Sequence, residues 1–155
     1  MIENKILELN KSALEEQLPD RPAFKEQLPD SCPPSDAVHP EPQNVLRFVK
    51  TDNPTEDDFL SFGTLNNLSD ESFYTGCLCE QYSCSVYSAP NRLKKLPRIK
   101  ETYKYIYEFK IDSSSGLIDK KKPGRSRHHI HLWPFKTFSP LNNKIAIHVT
   151  ERYNP

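Results

Sequence analysis

No apolar run in this chain approaches the roughly 18 residues that a membrane-crossing helix needs, so no membrane partner is expected. The opening residues, Met1-Ile2-Glu3-Asn4-Lys5, lack the basic-then-apolar order of a secretory signal. There is no G-x-x-x-x-G-K-[ST] loop and no G-x-G-x-x-G fingerprint, so two common phosphate-cradling turns are ruled out. No G-x-S-x-G elbow occurs, so a hydrolase of that type is not expected. Cysteine is sparse: Cys32, Cys77, Cys79 and Cys84 do not make a disulfide framework at this length. A reduced, cytoplasmic protein is expected, with free buried thiols and no disulfide among Cys77, Cys79 and Cys84. Their C-x-C-x4-C spacing departs from the paired C-x2-4-C units of zinc ribbons, so no metal is expected.

Glycine is scarce, at 4 residues against 14 prolines, and only 35% of the 155 residues are hydrophobic. Apolar residues are too few to spread evenly, so a tail or long loop must accompany a single domain. Net charge is absent, but the charges are segregated. Residues 1–42 carry nine acids and four bases, net −5; residues 92–136 carry thirteen bases and four acids, net +9. A basic block of this kind suggests an anionic partner, or an acidic part of the same chain lying across it.

Residues 2–18 are predicted to form a helix, with Ile2, Ile6, Leu9 and Ala13 on one face and Pro19 ending it. Glu16-Gln17-Leu18-Pro19-Asp20 recurs as Glu26-Gln27-Leu28-Pro29-Asp30, inside a proline-rich stretch that runs to Pro42. Residues 1–42 therefore read as an acidic, partly helical arm, and residues 43–155 as one compact domain. The arm is either an unstructured leader or a docking segment for a protein partner. Within the domain, residues 45–50 are predicted as a strand with Arg47 between Val45 and Val49 on one face. Asn53, Pro54 and Glu56 predict the start of a helix that stops at Gly63. Residues 84–87 predict a short strand, 89–96 a helix, 103–111 a strand and 112–116 a turn. Residues 144–151 predict a last strand with Ile145, Ile147 and Val149 inward. Short strands with short helices between them imply an α+β fold on a small mixed or antiparallel sheet.

Arg125-Ser126-Arg127-His128-His129-Ile130-His131-Leu132-Trp133 holds three of the five histidines and the only tryptophan, and Lys120, Lys121 and Lys122 lead into it. The histidines admit several uses. A strand would place His129 and His131 on one face, where two imidazoles can share an ion, although no H-E-x-x-H pattern supports it. They can relay protons on RNA while the nearby basic residues hold phosphate. They can contact a ligand without proton transfer. The plainest alternative is an exposed, solvated basic strand end.

The order of pieces carries a resemblance. It consists of a strand with Arg47, then Pro54-Thr55-Glu56-Asp57-Asp58-Phe59-Leu60-Ser61, then Ser83-Cys84-Ser85-Val86-Tyr87, then His128 through Trp133. This layout resembles a small group of bacterial proteins and, at the level of fold, is similar to the ADP-ribosyltransferase scaffold. That scaffold has Arg or His on its first strand, an aromatic residue on a middle strand and a late catalytic acid. The resemblance implies a domain that binds NAD or a similar nucleotide, toxin- or effector-like in setting. It implies that Arg47 lies near the phosphates or ribose and that Tyr87 stacks on the nicotinamide. Ser85, His128 and Trp133 are expected around the same ligand, with His129 and His131 catalytic. Ser83 stands where the scaffold has glycine, and the stretch from Arg125 to Pro140 contains no acid. The rival expectations are an RNA-binding or ribonuclease-like protein and a non-enzymatic interaction module. Histidines in one cleft with Arg47 and Tyr87 favour the nucleotide. Histidines on an open basic face favour RNA.

Overall fold

The computed structural model of the chain describes residues 23–69, 78–88, 102–120 and 128–150. The predicted helices over 2–18 and 89–96, the first copy of the repeat, Cys77, and Lys121, Lys122, Arg125 and Arg127 lie outside these residues. Among the described residues the fold is α+β, built on a six-stranded sheet. The strands are β1 (Gln43–Val49), β2 (Cys84–Tyr87), β3 (Tyr105–Ile111), β4 (Gly116–Ile118), β5 (His129–Pro134) and β6 (Lys144–Val149). They stand in the order β4-β5-β2-β1-β3-β6, and every neighbouring pair is antiparallel.

Alternation along the strands divides the sheet into two faces. Val45, Val49, Cys84, Val86, Tyr107, Phe109, Ile130 and Leu132 form the main core, closed over by Phe59 and Phe138. Leu46 and Ile106 form a smaller cluster on the opposite face, with Phe48 and Tyr87 packed against it. The aromatic β3 is the spine of the core. Phe109 meets Phe59 edge-on at 5.7 Å, and the buried Tyr107 hydroxyl donates to the Pro140 carbonyl at 3.1 Å.

The turn after β1 forms as predicted in place but not in detail. A 3-10 turn spans Glu56–Phe59 and a helical turn spans Phe62–Leu65. Thr55, not Asn53, precedes the first turn, and Asp58, not Glu56, reaches back to accept from the Thr55 N–H at 2.7 Å. Gly63 lies inside the second turn instead of ending a helix. A Cβ there would stand 2.5 Å from the Tyr82 ring, so ring packing excludes a side chain. In β6, Ile147 meets the core, but Ile145 and Val149 are 47% and 39% exposed, against expectation. The ladder with β3 shifts register at Glu108/Phe109, which leaves Ile145 without a partner on this edge strand. The predicted turn forms up to Ser115, but Gly116 already opens β4, a strand absent from the sequence reading.

Residues 23–42, read from the sequence as part of the arm, are bound into the domain. Phe24 bridges Phe135, and the Lys25 and Lys136 N–H groups bond the Pro134 and Ala23 carbonyls at 2.9 and 2.6 Å. Val38 bridges Ile118 with a reciprocal pair of backbone bonds at 2.9 and 2.8 Å. Cys32 and Cys79 form a disulfide, which overturns the expectation of free thiols at those two positions; Cys84 is free and buried. No helix among the described residues is long and apolar enough to cross a membrane.

Candidate functional site: a cleft where the sheet forks

The site is set by register. β2 and β5 pair with Ser85 opposite His131 and Tyr87 opposite His129. Their alternate residues, Cys84, Val86, Ile130 and Leu132, fill the core, so Ser85, Tyr87, His129 and His131 must emerge together on the other face. Their rings make a row. Tyr87 stacks on His129 at 5.2 Å, His129 lies 4.6 Å from His131, and His131 lies 6.3 Å from Trp133. Phe48 meets Tyr87 edge-on at 5.9 Å and continues the row to Tyr103 at 6.3 Å.

β1 and β2 share a single pairing, Leu46 with Tyr87. Beyond it β1 follows β3 as far as Val49 and Tyr105, while β2 follows β5 as far as Cys84 and Leu132. The sheet therefore forks, and a cleft of about 550 Å³ opens there. Arg47, Ser85, Tyr87, His129 and His131 all line it, along with Lys50, Asp57, Asp58, Glu80, Ser83 and Tyr103.

Arg47 starts on the core face between two buried valines and reaches into the fork. Its Nε donates to the Asp58 carbonyl at 2.9 Å, and its two terminal nitrogens donate to the Ser85 carbonyl at 2.8 Å and the Leu60 carbonyl at 3.3 Å. The guanidinium thus supplies the donor that the interrupted ladder withholds from Ser85. It also ties the Glu56–Phe59 turn to the sheet. A guanidinium has five N–H groups, so two remain for a ligand after these three bonds.

The histidines are held by hydroxyls. His129 Nε2 makes a short hydrogen bond with Ser85 Oγ. His131 Nδ1 lies 2.8 Å from Ser83 Oγ, and Ser83 Oγ donates to the Glu80 carbonyl at 2.7 Å. A hydroxyl has one hydrogen, so Ser83 must accept from His131 Nδ1–H. In neutral His131 the basic nitrogen is therefore Nε2, 3.9 Å from the Glu80 carboxylate. Asp119 fixes this point of β5, accepting from the His131 backbone N–H at 2.8 Å and donating its own to the His131 carbonyl at 3.2 Å. Burial pushes the Tyr87 phenol up, with Arg47 opposing, so the ring presents a neutral hydroxyl near neutral pH. The combined groups can stack a flat ring, accept a proton at His131 and stabilise the resulting imidazolium with Glu80.

Two expected site residues are not in the cleft. Trp133 is 0% exposed, and its indole N–H donates to the Cys79 carbonyl at 3.2 Å. It follows His131 on the same side of β5 but is capped by the Leu78–Gln81 turn, which makes it a core residue. His128 precedes β5 and does not line the cleft; its carbonyl accepts from the Ser88 N–H at 2.8 Å. Glu80 was missed by sequence reasoning. The only signal for it was an acid three residues before the Ser83-x-Ser85-x-Tyr87 strand. Among the described residues no group of three His, Cys, Asp or Glu side chains has metal-holding geometry. Comparison of the chain with protein-family models, with curated proteins and with solved structures finds no match.

Proposed function

We propose that the fork binds NAD or a related nucleotide as substrate, and that the domain is ADP-ribosyltransferase-like. One observation carries this reading: Arg47, Tyr87, His129 and His131, from three different strands, meet in one cleft. The volume lies within the roughly 300–1,000 Å³ of small-molecule sites. Tyr87 offers a ring face to nicotinamide or a base. The two remaining Arg47 N–H groups and Lys50 suit phosphate, and Asp57 and Asp58 suit ribose hydroxyls.

NAD supplies the glycosidic bond that breaks when nicotinamide leaves. The chain's part is to position the substrate and to take the proton of the attacking acceptor. His131 Nε2 is placed for that proton, and Glu80 offsets the charge that appears. Glu80 thus stands in for the late acid missing between Arg125 and Pro140. The RNA alternative loses ground, because the histidines lie in a cleft whose walls, among the described residues, carry Asp57, Asp58 and Glu80 against Arg47 and Lys50. The Cys32–Cys79 disulfide supports work in an oxidising compartment, against the cytoplasmic expectation and in keeping with an exported effector.

The test is a thermal-shift series with NAD, ADP-ribose, nicotinamide and a short RNA. A ligand that binds only the folded state raises the melting temperature. NAD or ADP-ribose should raise it, and Tyr87→Ala should abolish the rise. No shift with any nucleotide, or a shift with RNA alone, would refute the proposal.

A further inference from the structure

Residues 23–30, Ala23-Phe24-Lys25-Glu26-Gln27-Leu28-Pro29-Asp30, sit in a built seat. Phe24 packs on Phe135 with ring centres 5.4 Å apart. Glu26 is 9% exposed, and its carboxylate accepts from the Ser61 N–H at 3.1 Å and the Ser61 hydroxyl at 2.7 Å. Ser61 in turn caps the Phe62–Leu65 turn, accepting from the Thr64 N–H at 3.1 Å. Leu28 and Pro29 line a second cavity of about 530 Å³, floored by Leu68 and Tyr82.

The same pattern occurs once more, ten residues earlier. Residues 13–20 are Ala-Leu-Glu-Glu-Gln-Leu-Pro-Asp, identical to 23–30 at six of eight positions. The two differences are informative. Leu14 replaces Phe24 and keeps an apolar anchor. Glu15 replaces Lys25, whose ammonium pairs with Glu56 at 3.0 Å. The buried carboxylate, Glu26, has its counterpart in Glu16. What the earlier copy gives up is the partly exposed ion pair, which becomes a like-charge contact with Glu56, and part of the ring contact with Phe135.

We propose that residues 13–20 are a second plug for this seat, taking the place of residues 23–30 when those leave it. The later copy is the resting occupant because it alone matches Glu56 and presents a ring to Phe135. The earlier copy competes from the same chain, and tethering holds its effective concentration in roughly the millimolar range. Cys32 stays anchored to Cys79 in either state. The exchange lengthens the connection from the plug to Cys32 by ten residues, and loop length adds only weakly to closure entropy. The seat is then a two-register device, independent of the nucleotide reading. In its second register it frees the segment from Phe24 to Asp30.

The test uses the full-length chain and two glutamates. Glu16→Ala alone should leave the thermal midpoint unchanged, because Glu26 holds the seat. Glu26→Ala should lower it modestly, because Glu16 takes over. The double variant should melt below Glu26→Ala by a further 2 °C or so. Glu15→Lys added to Glu26→Ala should raise the midpoint by restoring a cation opposite Glu56. A double variant that melts with Glu26→Ala, together with no gain from Glu15→Lys, overturns the proposal. If Glu26→Ala does not fold, Glu26→Gln takes its place in the same cycle. Light scattering should find Glu26→Ala monomeric; a concentration-dependent dimer would overturn the same-chain seat in favour of exchange between two copies.

Discussion

On one side of β2 and β5, Cys84, Val86, Ile130 and Leu132 are at most 3% exposed. On the other side of the same two strands, Ser85, Tyr87, His129 and His131 are half-buried and line a cleft. The two sides differ by one residue of alternation, yet they do different work. The apolar side fixes the register, because a slip of one residue would turn every packed side chain outward. With register fixed there, the other side is free to hold hydroxyls and imidazoles that contribute little to packing. A chemically loaded face on this sheet therefore depends on a dry face behind it.

The largest effect that would sharpen this contrast is on the dry side. Phe109→Ala should cost about 3–5 kcal/mol, measured by the urea midpoint, because the ring is fully buried among Phe59, Tyr107 and Phe138. A loss below 1 kcal/mol would break the claim that this face carries the fold. Arg47 stands at the border of the two sides. Arg47→Met should cost about 2–3 kcal/mol, since it strips donors from the Asp58, Leu60 and Ser85 carbonyls, and it should also weaken nucleotide binding. A variant that loses binding with full stability would make Arg47 a ligand residue alone.

The wet side predicts the opposite pattern. His131→Gln should change stability by less than about 1 kcal/mol while lowering turnover roughly 100-fold or more. Glu80→Gln should lower turnover less, because it removes charge support and leaves the base in place. Equal losses of stability and activity in His131→Gln would erase the distinction between the faces. The smallest effect lies at the rim. Burial acts to raise the Glu56 carboxyl, but hydrogen bonds from Ser139 and Lys25 outweigh it and hold the group below its ordinary value of 4.5. A depressed carboxyl stabilises the fold above its unfolded value and loses that contribution as pH falls through the folded one. Stability should therefore decline below about pH 4.5, and Glu56→Gln should flatten that decline slightly.

The sequence made the dry side easy to read. β1, β2, β3 and β6 each carry an alternating pattern, and their positions match to within a residue or two. β4 escaped because three residues, Gly116-Leu117-Ile118, carry too little periodicity to distinguish a strand from the end of a turn. The anchors in 23–42 escaped for a different reason. Phe24, Glu26, Cys32 and Val38 act singly, and single contacts leave no period. In the site, alternation placed His129 and His131 on one face and the resemblance added Ser85 and Tyr87, but the β2–β5 pairing that joins them is tertiary. Alternation was not enough to reject Trp133, which shares their side but is covered by a turn from elsewhere in the chain. Glu80 arrives from that same turn, and proximity of that kind is tertiary.

The Cys32–Cys79 bond also has a topological meaning. It closes a covalent ring that contains β1, both turns after it and Ser61, while β2 to β6 all follow the ring in one tail. A protease cut at any one peptide bond between Pro33 and Leu78 opens the ring without releasing a fragment. A singly nicked molecule would keep its full mass until a reductant was added, and only then divide in two.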